Sequence, residues 1–234
     1  MKFKSILLIF IICSSCKKVE QVDKTKTLPF YNSEDFTPEW ISKTDENFDK
    51  IHRIAPFKFT NQNGEIISNK NFEGKIYIAD FFFTTCPSIC PIMTKNLVEL
   101  QNHFEYDEDF GIASFSITPH YDTPKVLKTY AEKYGVKDMD WHLMTGDKDA
   151  IYDLANGGFN IFAAEMPDSR GGFEHSGLFA LVDRQGYLRS RLDKFGNPIV
   201  YYRGAITEEM GENSQGEKEE ISILKEDIKK LLEE

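Results

Sequence analysis

The sequence lacks a strongly basic segment. Lysine and arginine cluster only as the pairs Lys17-Lys18 and Lys229-Lys230, and the formal net charge is -10. Because recognition of a phosphate backbone needs a basic face, this composition argues against a nucleic-acid-binding protein. The sequence also lacks an internal repeat. Its 234 residues, of which 41% are hydrophobic, suffice for one globular domain with a core and not for two large ones.

Cysteine is scarce as well, and the four cysteines fall into two pairs. Cys13 and Cys16 lie in the N-terminal segment, whereas Cys86 and Cys90 lie in the interior of the chain. If the first pair is removed or modified during export, the exported domain keeps only two cysteines. A bridge between them would close a tiny loop and add little stability. A disulfide scaffold is therefore excluded, and chemistry is the better explanation for Cys86 and Cys90.

The N-terminus carries a short apolar run in place of a long hydrophobic one. Residues 1–4 supply positive charge, residues 5–12 are apolar, and Cys13-Ser14-Ser15-Cys16 follows. This order is typical of a bacterial export signal, and the run is too short to cross a membrane. The small residues before Cys16 resemble a lipoprotein processing site, so we expect Cys16 to be lipidated. The alternatives are an ordinary signal peptide and an uncleaved anchor.

We therefore expect three segments along the chain. They are a signal peptide over residues 1–15, a polar tether over residues 16–48 and one folded domain over residues 49–234. The polar stretch after Cys16 fits a tether, because an anchored domain needs a spacer. The expected location is extracytoplasmic or periplasmic, with the domain held at a membrane by its N-terminal lipid.

Apolar periodicity predicts an α/β fold. Residues 54–59 and 65–68 flank a turn at Asn63-Gly64, which indicates an N-terminal β-hairpin. Residues 76–83 are almost continuously apolar, which indicates a central strand buried on both faces. Further strands are predicted over residues 110–117, 141–144, 177–183 and 187–192, and helices over residues 93–104, 123–134, 147–154 and 221–232. Alternating β and α elements followed by an antiparallel hairpin imply a mixed sheet between layers of helices.

The segment that carries chemistry directly follows the predicted central strand, where ligands collect in such sheets. It reads Phe83-Thr84-Thr85-Cys86-Pro87-Ser88-Ile89-Cys90-Pro91. Because proline favours the first turn of a helix, we expect Cys86 on the loop and Cys90 at the helix start. A helix N-terminus stabilises negative charge and lowers the pKa of a nearby thiol. Two thiolates aimed at one point make a soft-metal site or a redox pair, and two buried inert cysteines are the remaining alternative.

Three residues separate the two cysteines, one more than in thioredoxin-type oxidoreductases. The longer loop relaxes disulfide geometry without forbidding it, and it leaves room for an ion between the sulfurs. Two thiolates with one imidazole suit Cu(I), which prefers soft ligands and tolerates low coordination. Structural zinc would need a fourth ligand, and the sequence offers no obvious one. The expected ion is therefore copper, as Cu(I) and in addition as Cu(II).

Five histidines are candidates for the third ligand. His175 lies in a glycine-containing loop before an apolar strand, and His120 follows Pro119 just after a predicted strand. Each of these two imidazoles could reach the cysteines. The other three fit solvated or structural positions: His52, His103 and His142. The residues alone leave both His175 and His120 open.

Four motifs in the same order resemble the Sco/SenC family of copper-delivery proteins. They are the segment from Phe83 to Pro91; Ser116-Ile117 with Pro119 and Asp122-Thr123-Pro124; Trp141 with Thr145-Gly146; and His175-Ser176 ahead of Leu181-Val182-Asp183 and Gly186. The resemblance covers roughly residues 50–232. It implies a thioredoxin-like fold and, position by position, Cys86, Cys90 and His175 as the copper ligands.

The resemblance also implies a role in assembling the binuclear copper centre of cytochrome c oxidase. The expected partners are a copper-accepting apoprotein, in the first place a cytochrome oxidase subunit, together with a thiol reductant and the membrane. Two positions depart from the family pattern, because Ser88 and Thr118 stand where many members have aspartate. Both acidic groups would act on the electrostatics near copper or on docking, so these departures weaken the assignment of the client.

Three functions compete at this point. The leading one is a metallochaperone, which is not an enzyme: it binds one copper ion and passes it on by ligand exchange, with its cysteines kept reduced. The second is an enzyme, a thiol-disulfide reductase in which Cys86 attacks and Cys90 resolves the mixed disulfide. A thiol peroxidase is disfavoured, because the Pro-x-x-x-Thr-x-x-Cys arrangement of peroxiredoxins is missing.

Overall fold

The structure is a computed structural model that describes residues 27–137, 140–166, 168 and 172–234. The helices in these residues are α1 (Cys90–His103), α2 (Pro124–Tyr134), α3 (Lys148–Asp153) and α4 (Ile221–Glu233). The strands are β1 (Phe30–Tyr31), β2 (Pro38–Glu39), β3 (Lys58–Asn61), β4 (Ile66–Ser68), β5 (Ile76–Phe82), β6 (Phe110–Ser116), β7 (Trp141–Thr145), β8 (Ala163–Glu165), β9 (Phe173–His175), β10 (Leu178–Val182), β11 (Leu188–Arg189), β12 (Arg191–Leu192), β13 (Pro198–Ile199) and β14 (Tyr202–Arg203). Short 3-10 helices cover Phe48–Lys50 and Asn69–Phe72.

The main sheet has the strand order β11-β10-β5-β6-β7-β3-β4, and β14 also pairs with β10. Strands β5, β6 and β7 run parallel, whereas β10 and β3 flank them in antiparallel orientation. The N-terminal hairpin is β3–β4, and the C-terminal hairpin is β10–β11. The predicted mixed α/β sheet with a hairpin at each end is therefore confirmed.

Strands β5 and β6 form the middle of the core, because both are apolar along most of their length. Every residue of the two strands is buried, as expected for parallel strands that are covered on both faces. Ala79 of β5 pairs with Ala113 of β6 on one side and with Ala180 of β10 on the other. Because β5 lies inside the sheet, the chain that leaves it after Phe82 emerges at the carboxyl edge, where open α/β sheets bind ligands.

The helices begin and end where local chemistry allows. The Thr123 hydroxyl caps α2 by accepting a hydrogen bond from the Val126 N–H at 3.4 Å, and Pro124 opens the helix. Gly135 ends it in the left-handed conformation, with a φ of 81°. Asp147 caps α3 as predicted, but α3 ends at Asp153 and continues as a π-helical turn over Leu154–Gly158. The helices bury the predicted apolar faces, among them Met93, Leu97 and Leu100 of α1 and Ile221, Leu224, Ile228 and Leu231 of α4.

A two-stranded ribbon lies outside the main sheet. Its strands, β8 and β9, pair with each other, so that Ala163 stands opposite His175. The sequence predicts a loop for the residues around His175. The structure has a strand there instead, because the backbone of β9 finds its hydrogen-bond partner in β8.

Part of the predicted tether belongs to the folded domain. Leu28, Phe30 and Tyr31 are buried, and the backbone oxygen of Leu28 accepts a hydrogen bond from Arg189 at 2.7 Å. The Phe30 ring packs edge-on against Phe48, with 5.2 Å between the ring centroids. These apolar side chains explain why residues 28–31, which lie inside the predicted tether, pack against the folded domain.

The N-terminal predictions fall outside the residues that the structure describes. This applies to the signal peptide over residues 1–15 and to the lipidation of Cys16. Among the described helices, none is both long and apolar enough to cross a membrane.

Candidate metal centre

The two cysteines lie where β5 gives way to α1. The chain turns after the strand, and the Cys86 N–H donates to the backbone oxygen of Phe83 at 3.2 Å. Cys90 is the first residue of α1, and Pro91 follows it. The Cys90 N–H donates to the Cys86 sulfur at 3.4 Å, so the sulfur satisfies one of the free N–H groups at the helix start. The predicted arrangement, with Cys86 on the loop and Cys90 at the helix start, is confirmed.

The ribbon β8–β9 brings His175 to the cysteines from a distant part of the chain. His175 Nε2 lies 3.1 Å from the Cys90 sulfur, across 85 positions in the sequence. The Phe83 ring stands edge-on to the imidazole, with 5.9 Å between the centroids, and Phe173 packs on Phe83 at 5.6 Å. The packed rings of Phe83 and Phe173 therefore hold the imidazole in place beside the sulfurs.

The donor atoms of Cys86, Cys90 and His175 all lie within 4.8 Å of one another. Among the described residues, this is the one group of three or more Cys, His, Asp or Glu side chains that could hold a metal ion. Metal–sulfur bonds of about 2.3 Å, as found for zinc, allow two ligand atoms of one ion to stand up to about 4.6 Å apart. Small shifts would thus let all three donors bind one ion, and their softness suits Cu(I).

The three side chains are almost completely buried. Cys86 is 8% exposed, Cys90 1% and His175 7%. Cys86 is thus the more exposed of the two cysteines. The roles of Cys86 as the attacking thiol and Cys90 as the resolving one stay predictions.

The two thiols differ strongly in acidity. A hydrogen bond from the Cys90 side chain holds the pKa of Cys86 far below its usual range. His175 and the backbone N–H groups of Cys90 and Ser88 lower that pKa further, while burial opposes the change. Burial and the neighbouring Cys86 thiolate raise the pKa of Cys90. Of the two thiols, Cys86 therefore loses its proton first.

A buried carboxyl group adds to the electrostatics of the site. Asp80 lies in β5, is 2% exposed and accepts a hydrogen bond from the Ser114 hydroxyl. Trp141 Nε1 donates to the same hydroxyl at 3.0 Å. Burial raises the pKa of Asp80 to about 7, and a negative charge on Asp80 opposes ionisation of Cys90. Asp80 is not among the site residues predicted from the sequence, although a lone aspartate inside the apolar run of residues 76–83 is a visible signal.

The remaining histidines stand elsewhere. His120 is exposed, with its ring 6.1 Å from the Phe173 ring, and is not part of the three-residue group. His52 Nε2 lies 2.8 Å from the backbone oxygen of Gly158, and His142 Nδ1 lies 3.2 Å from Asn61 Nδ2. His103 is exposed at the end of α1. Of the two histidines left open by the residues, the structure thus brings His175 to the cysteines.

The two positions that depart from the family pattern carry hydroxyl groups close to the site. Ser88 Oγ lies 3.7 Å from the Cys86 sulfur, and Ser88 is exposed. Thr118 is buried, and its hydroxyl donates to Asp122 at 2.8 Å. Neither position adds a negative charge beside the sulfurs.

Comparison with known proteins gives a consistent family. The family model described as SCO1/SenC matches residues 45–208. The SCO1 protein homolog of Bacillus subtilis is 34% identical over 137 residues, which are 58% of this chain and 70% of the relative.

Three solved structures have a similar fold. The SCO1/SenC family lipoprotein from Bacillus anthracis aligns with a TM-score of 0.62 at 26% identity, covering 82% of this chain and 99% of that one. BsSco, described as having a disulfide switch and as a member of the Sco family of cytochrome c oxidase assembly proteins, aligns at 0.61 and 28%, covering 77% and 93%. The copper-bound ScoI of Bradyrhizobium japonicum aligns at 0.50 and 25%, covering 60% and 89%.

Proposed function

Since the chain belongs to the SCO1/SenC family, we propose that it binds one copper ion through Cys86, Cys90 and His175 and delivers it to a copper-accepting protein. The observation that carries this proposal is the convergence of two sulfurs and one imidazole nitrogen within 4.8 Å. Such a donor set is soft, and no fourth Cys, His, Asp or Glu ligand joins it among the described residues, which suits Cu(I) better than structural zinc. The copper-bound relative from Bradyrhizobium japonicum supports the choice of ion.

We base the delivery of copper on its coordination, because three protein ligands leave room for a further ligand on the ion. With three protein ligands, copper has an open side on which a ligand of the acceptor can bind. The acceptor's ligands then replace those of this chain one at a time, so the ion is never released into water. The exchange begins at Cys86, the more exposed residue of the two.

The client that we propose is a subunit of cytochrome c oxidase. BsSco is described as a member of a family of assembly proteins for that enzyme, and its fold is similar to that of this chain. A thiol reductant is a second required partner, because copper loading needs both cysteines reduced in an oxidising compartment.

We further propose that Cys16 carries a lipid that holds the domain at the outer side of a membrane. The support is the order of positive, apolar and small residues before Cys16 and the similarity to a SCO1/SenC family lipoprotein. Replacing Cys16 by serine should release the protein from the membrane fraction, as measured by immunoblotting of fractionated cells. Persistent membrane attachment of this variant would contradict lipid anchoring at Cys16.

Anaerobic titration with Cu(I) tests copper binding. The reduced protein should take up one Cu(I) in competition with a chromophoric chelator, and alkylation of the two cysteines should abolish the uptake. His175→Ala should weaken Cu(I) binding at least tenfold, because loss of one of three ligands removes more than the 1.4 kcal/mol that a factor of ten requires. His120→Ala is the matched control, since its exposed imidazole lies outside the group, and it should bind as tightly as wild type. A His175→Ala protein with unchanged affinity would refute the ligand assignment.

A specific observation also favours a second function, a thiol-disulfide reductase. The pKa of Cys86 is lowered and Cys90 is buried behind it, which suits an attacking and a resolving thiol. The Cys86 thiolate would attack a disulfide of the client, forming a mixed disulfide and releasing one client thiolate. Cys90 would then give its proton to the released client thiolate and attack the Cys86 sulfur. The second client thiolate leaves, and the protein keeps a Cys86–Cys90 disulfide.

His175→Ala separates the two functions. Thiol exchange with a disulfide-bonded peptide needs only the cysteines, so it should survive in this variant while Cu(I) binding weakens. A reduced wild-type protein that exchanges thiols and takes up no Cu(I) would leave the reductase as the function.

A further inference from the structure

We propose that Asp122 is a positioning residue that fixes the Cys86 loop by holding Thr84 against the end of the neighbouring strand. The inference rests on the proposed function, since it concerns the geometry of the same two sulfurs. Asp122 is not one of the proposed copper ligands. It acts on Cys86 through the backbone of the loop to which both Thr84 and Cys86 belong.

The Asp122 carboxylate is completely buried, and it accepts four hydrogen bonds. None of Asp122 is exposed. Thr84 donates twice, from its N–H at 3.1 Å and from its hydroxyl. The Ser116 hydroxyl donates at 2.6 Å and the Thr118 hydroxyl at 2.8 Å. An ionised carboxylate only accepts hydrogen bonds. Three of these donors reach Oδ2, and the fourth, the Thr84 hydroxyl, reaches Oδ1.

The donors come from Thr84 in the loop after β5, and from the end of β6 and the loop that follows it, which the sheet brings side by side. Strands β5 and β6 run parallel up to the pair Phe82 and Ser116, and the Ile117 N–H still reaches the Phe82 oxygen at 2.9 Å. Beyond this point the two chains leave the sheet, and Asp122 joins them. Asp122 is itself held by a turn, in which its N–H donates to the Thr118 oxygen at 2.9 Å.

After Thr84, the hydrogen bonds of the loop are local. The Cys86 N–H donates back to Phe83, and the Cys86 sulfur accepts from the Cys90 N–H. The other loop residues between Thr84 and Ile89 are exposed, namely Thr85, Pro87 and Ser88. Thr84 is therefore the point just before Cys86 at which another element holds the chain. Without the carboxylate, the Cys86 sulfur would lose its fixed place at the start of α1.

The consequence should appear in the redox equilibrium of the cysteines. In the reduced protein, the Cys86 thiolate is stabilised by the N–H of Cys90 and by the helix start, whereas a disulfide has no such charge to stabilise. Loosening the loop thus weakens the reduced form more than the oxidised form. A change that destabilises both forms equally leaves this equilibrium unchanged, which separates positioning from a general structural role.

The test is the equilibrium constant between the Cys86–Cys90 pair and dithiothreitol, measured on the full chain. Asp122→Asn keeps the shape of the side chain and replaces one acceptor oxygen by a donor. It should shift the equilibrium about tenfold toward the disulfide, which is about 30 mV for a two-electron couple. The matched control is Asp227→Asn, since Asp227 is also completely buried and accepts hydrogen bonds from Arg191 and Tyr202. This control should lower stability and leave the redox equilibrium unchanged.

Thr84→Val provides a milder variant in case Asp122→Asn does not fold. It removes the hydroxyl donor and keeps the N–H donor, so it should shift the equilibrium in the same direction by a smaller factor. In the Asp122→Asn background it should shift the equilibrium less than it does alone, because both changes act on one contact. Wild-type equilibrium constants in both single variants would overturn the proposal. A shift in the variants, with no Cu(I) uptake by the wild type, would support positioning and refute the copper function.

Discussion

Replacing Asp80 by asparagine should stabilise the folded protein above neutral pH and have little effect in acid. Asp80 is buried in β5 with the Ser114 hydroxyl as its hydrogen-bond donor. Asparagine resembles the protonated carboxyl in shape, and its amide oxygen can still accept that hydrogen bond. The variant therefore removes the cost of burying a charge while it keeps the packing.

The magnitude follows from two pKa values. Burial raises the pKa of Asp80 from 3.8 to about 7, and each unit is worth about 1.4 kcal/mol. Between these values the folded protein binds a proton that the unfolded chain has lost, so stability falls as pH rises from about 4 to about 7. The total is about 4 kcal/mol by this order-of-magnitude relation. The nearby thiol of Cys90 and phenol of Tyr130 both have raised pKa values, so neither titrates in this window.

The assay is urea unfolding of the reduced, copper-free protein, followed by circular dichroism at several pH values from 4 to 9. The measured quantity is the difference in unfolding free energy between Asp80→Asn and wild type. We expect it to be near zero at pH 4 and to grow to a few kcal/mol above pH 7. Asp107→Asn, a change at an exposed aspartate, is the control and should give no such trend. A difference for Asp80→Asn that does not vary with pH would refute the reasoning.

Two further predictions concern the thiols and the packing. Iodoacetamide should modify Cys86 before Cys90 in the reduced protein even at pH 6, because the pKa of Cys86 is lowered and that of Cys90 is raised. Peptide mass spectrometry measures the order of modification, and a result in which Cys90 is modified first would contradict the prediction. Gly204→Ala should cost about 1–3 kcal/mol of stability, because the new methyl group would lie 2.7 Å from the Phe179 ring. Gly157→Ala meets nothing within 4 Å and is the control in thermal unfolding; equal melting temperatures for the two variants would count against the predicted clash.

The parts of the fold that the sequence predicts well are those with strong local signals. The apolar run of residues 76–83 contains β5, and the proline after Cys90 marks the start of α1. Both features lie next to each other in the chain, so the position of Cys86 between them follows without long-range information. For this reason the two cysteines are predictable from spacing, while the imidazole that meets them is not.

The features that the sequence does not predict depend on distant partners. Strand β9 has three residues, which is too short for a detectable period, and it forms because β8 pairs with it. Asp122 directly precedes Thr123, the cap of α2, whereas its four donors come from the end of β6 and from the chain just after β5 and β6. Leu28 and Tyr31 lie in a polar stretch without periodicity, and their burial depends on contacts with residues about 160 positions away.

Because the ribbon β8–β9 lies outside the main sheet, it can move the His175 imidazole away from the two cysteines. His175 stands on a pair of strands outside the main sheet, whereas Cys86 and Cys90 belong to the junction of β5 and α1. An ion held by all three would act as a cross-link between two separately built pieces of the molecule, 85 positions apart in sequence. We expect amide hydrogen exchange in the ribbon to slow when copper is bound. If the chain delivers copper as proposed, an acceptor could then distinguish the copper-loaded form from the empty one by the rigidity of its surface, before any metal ligand is exchanged.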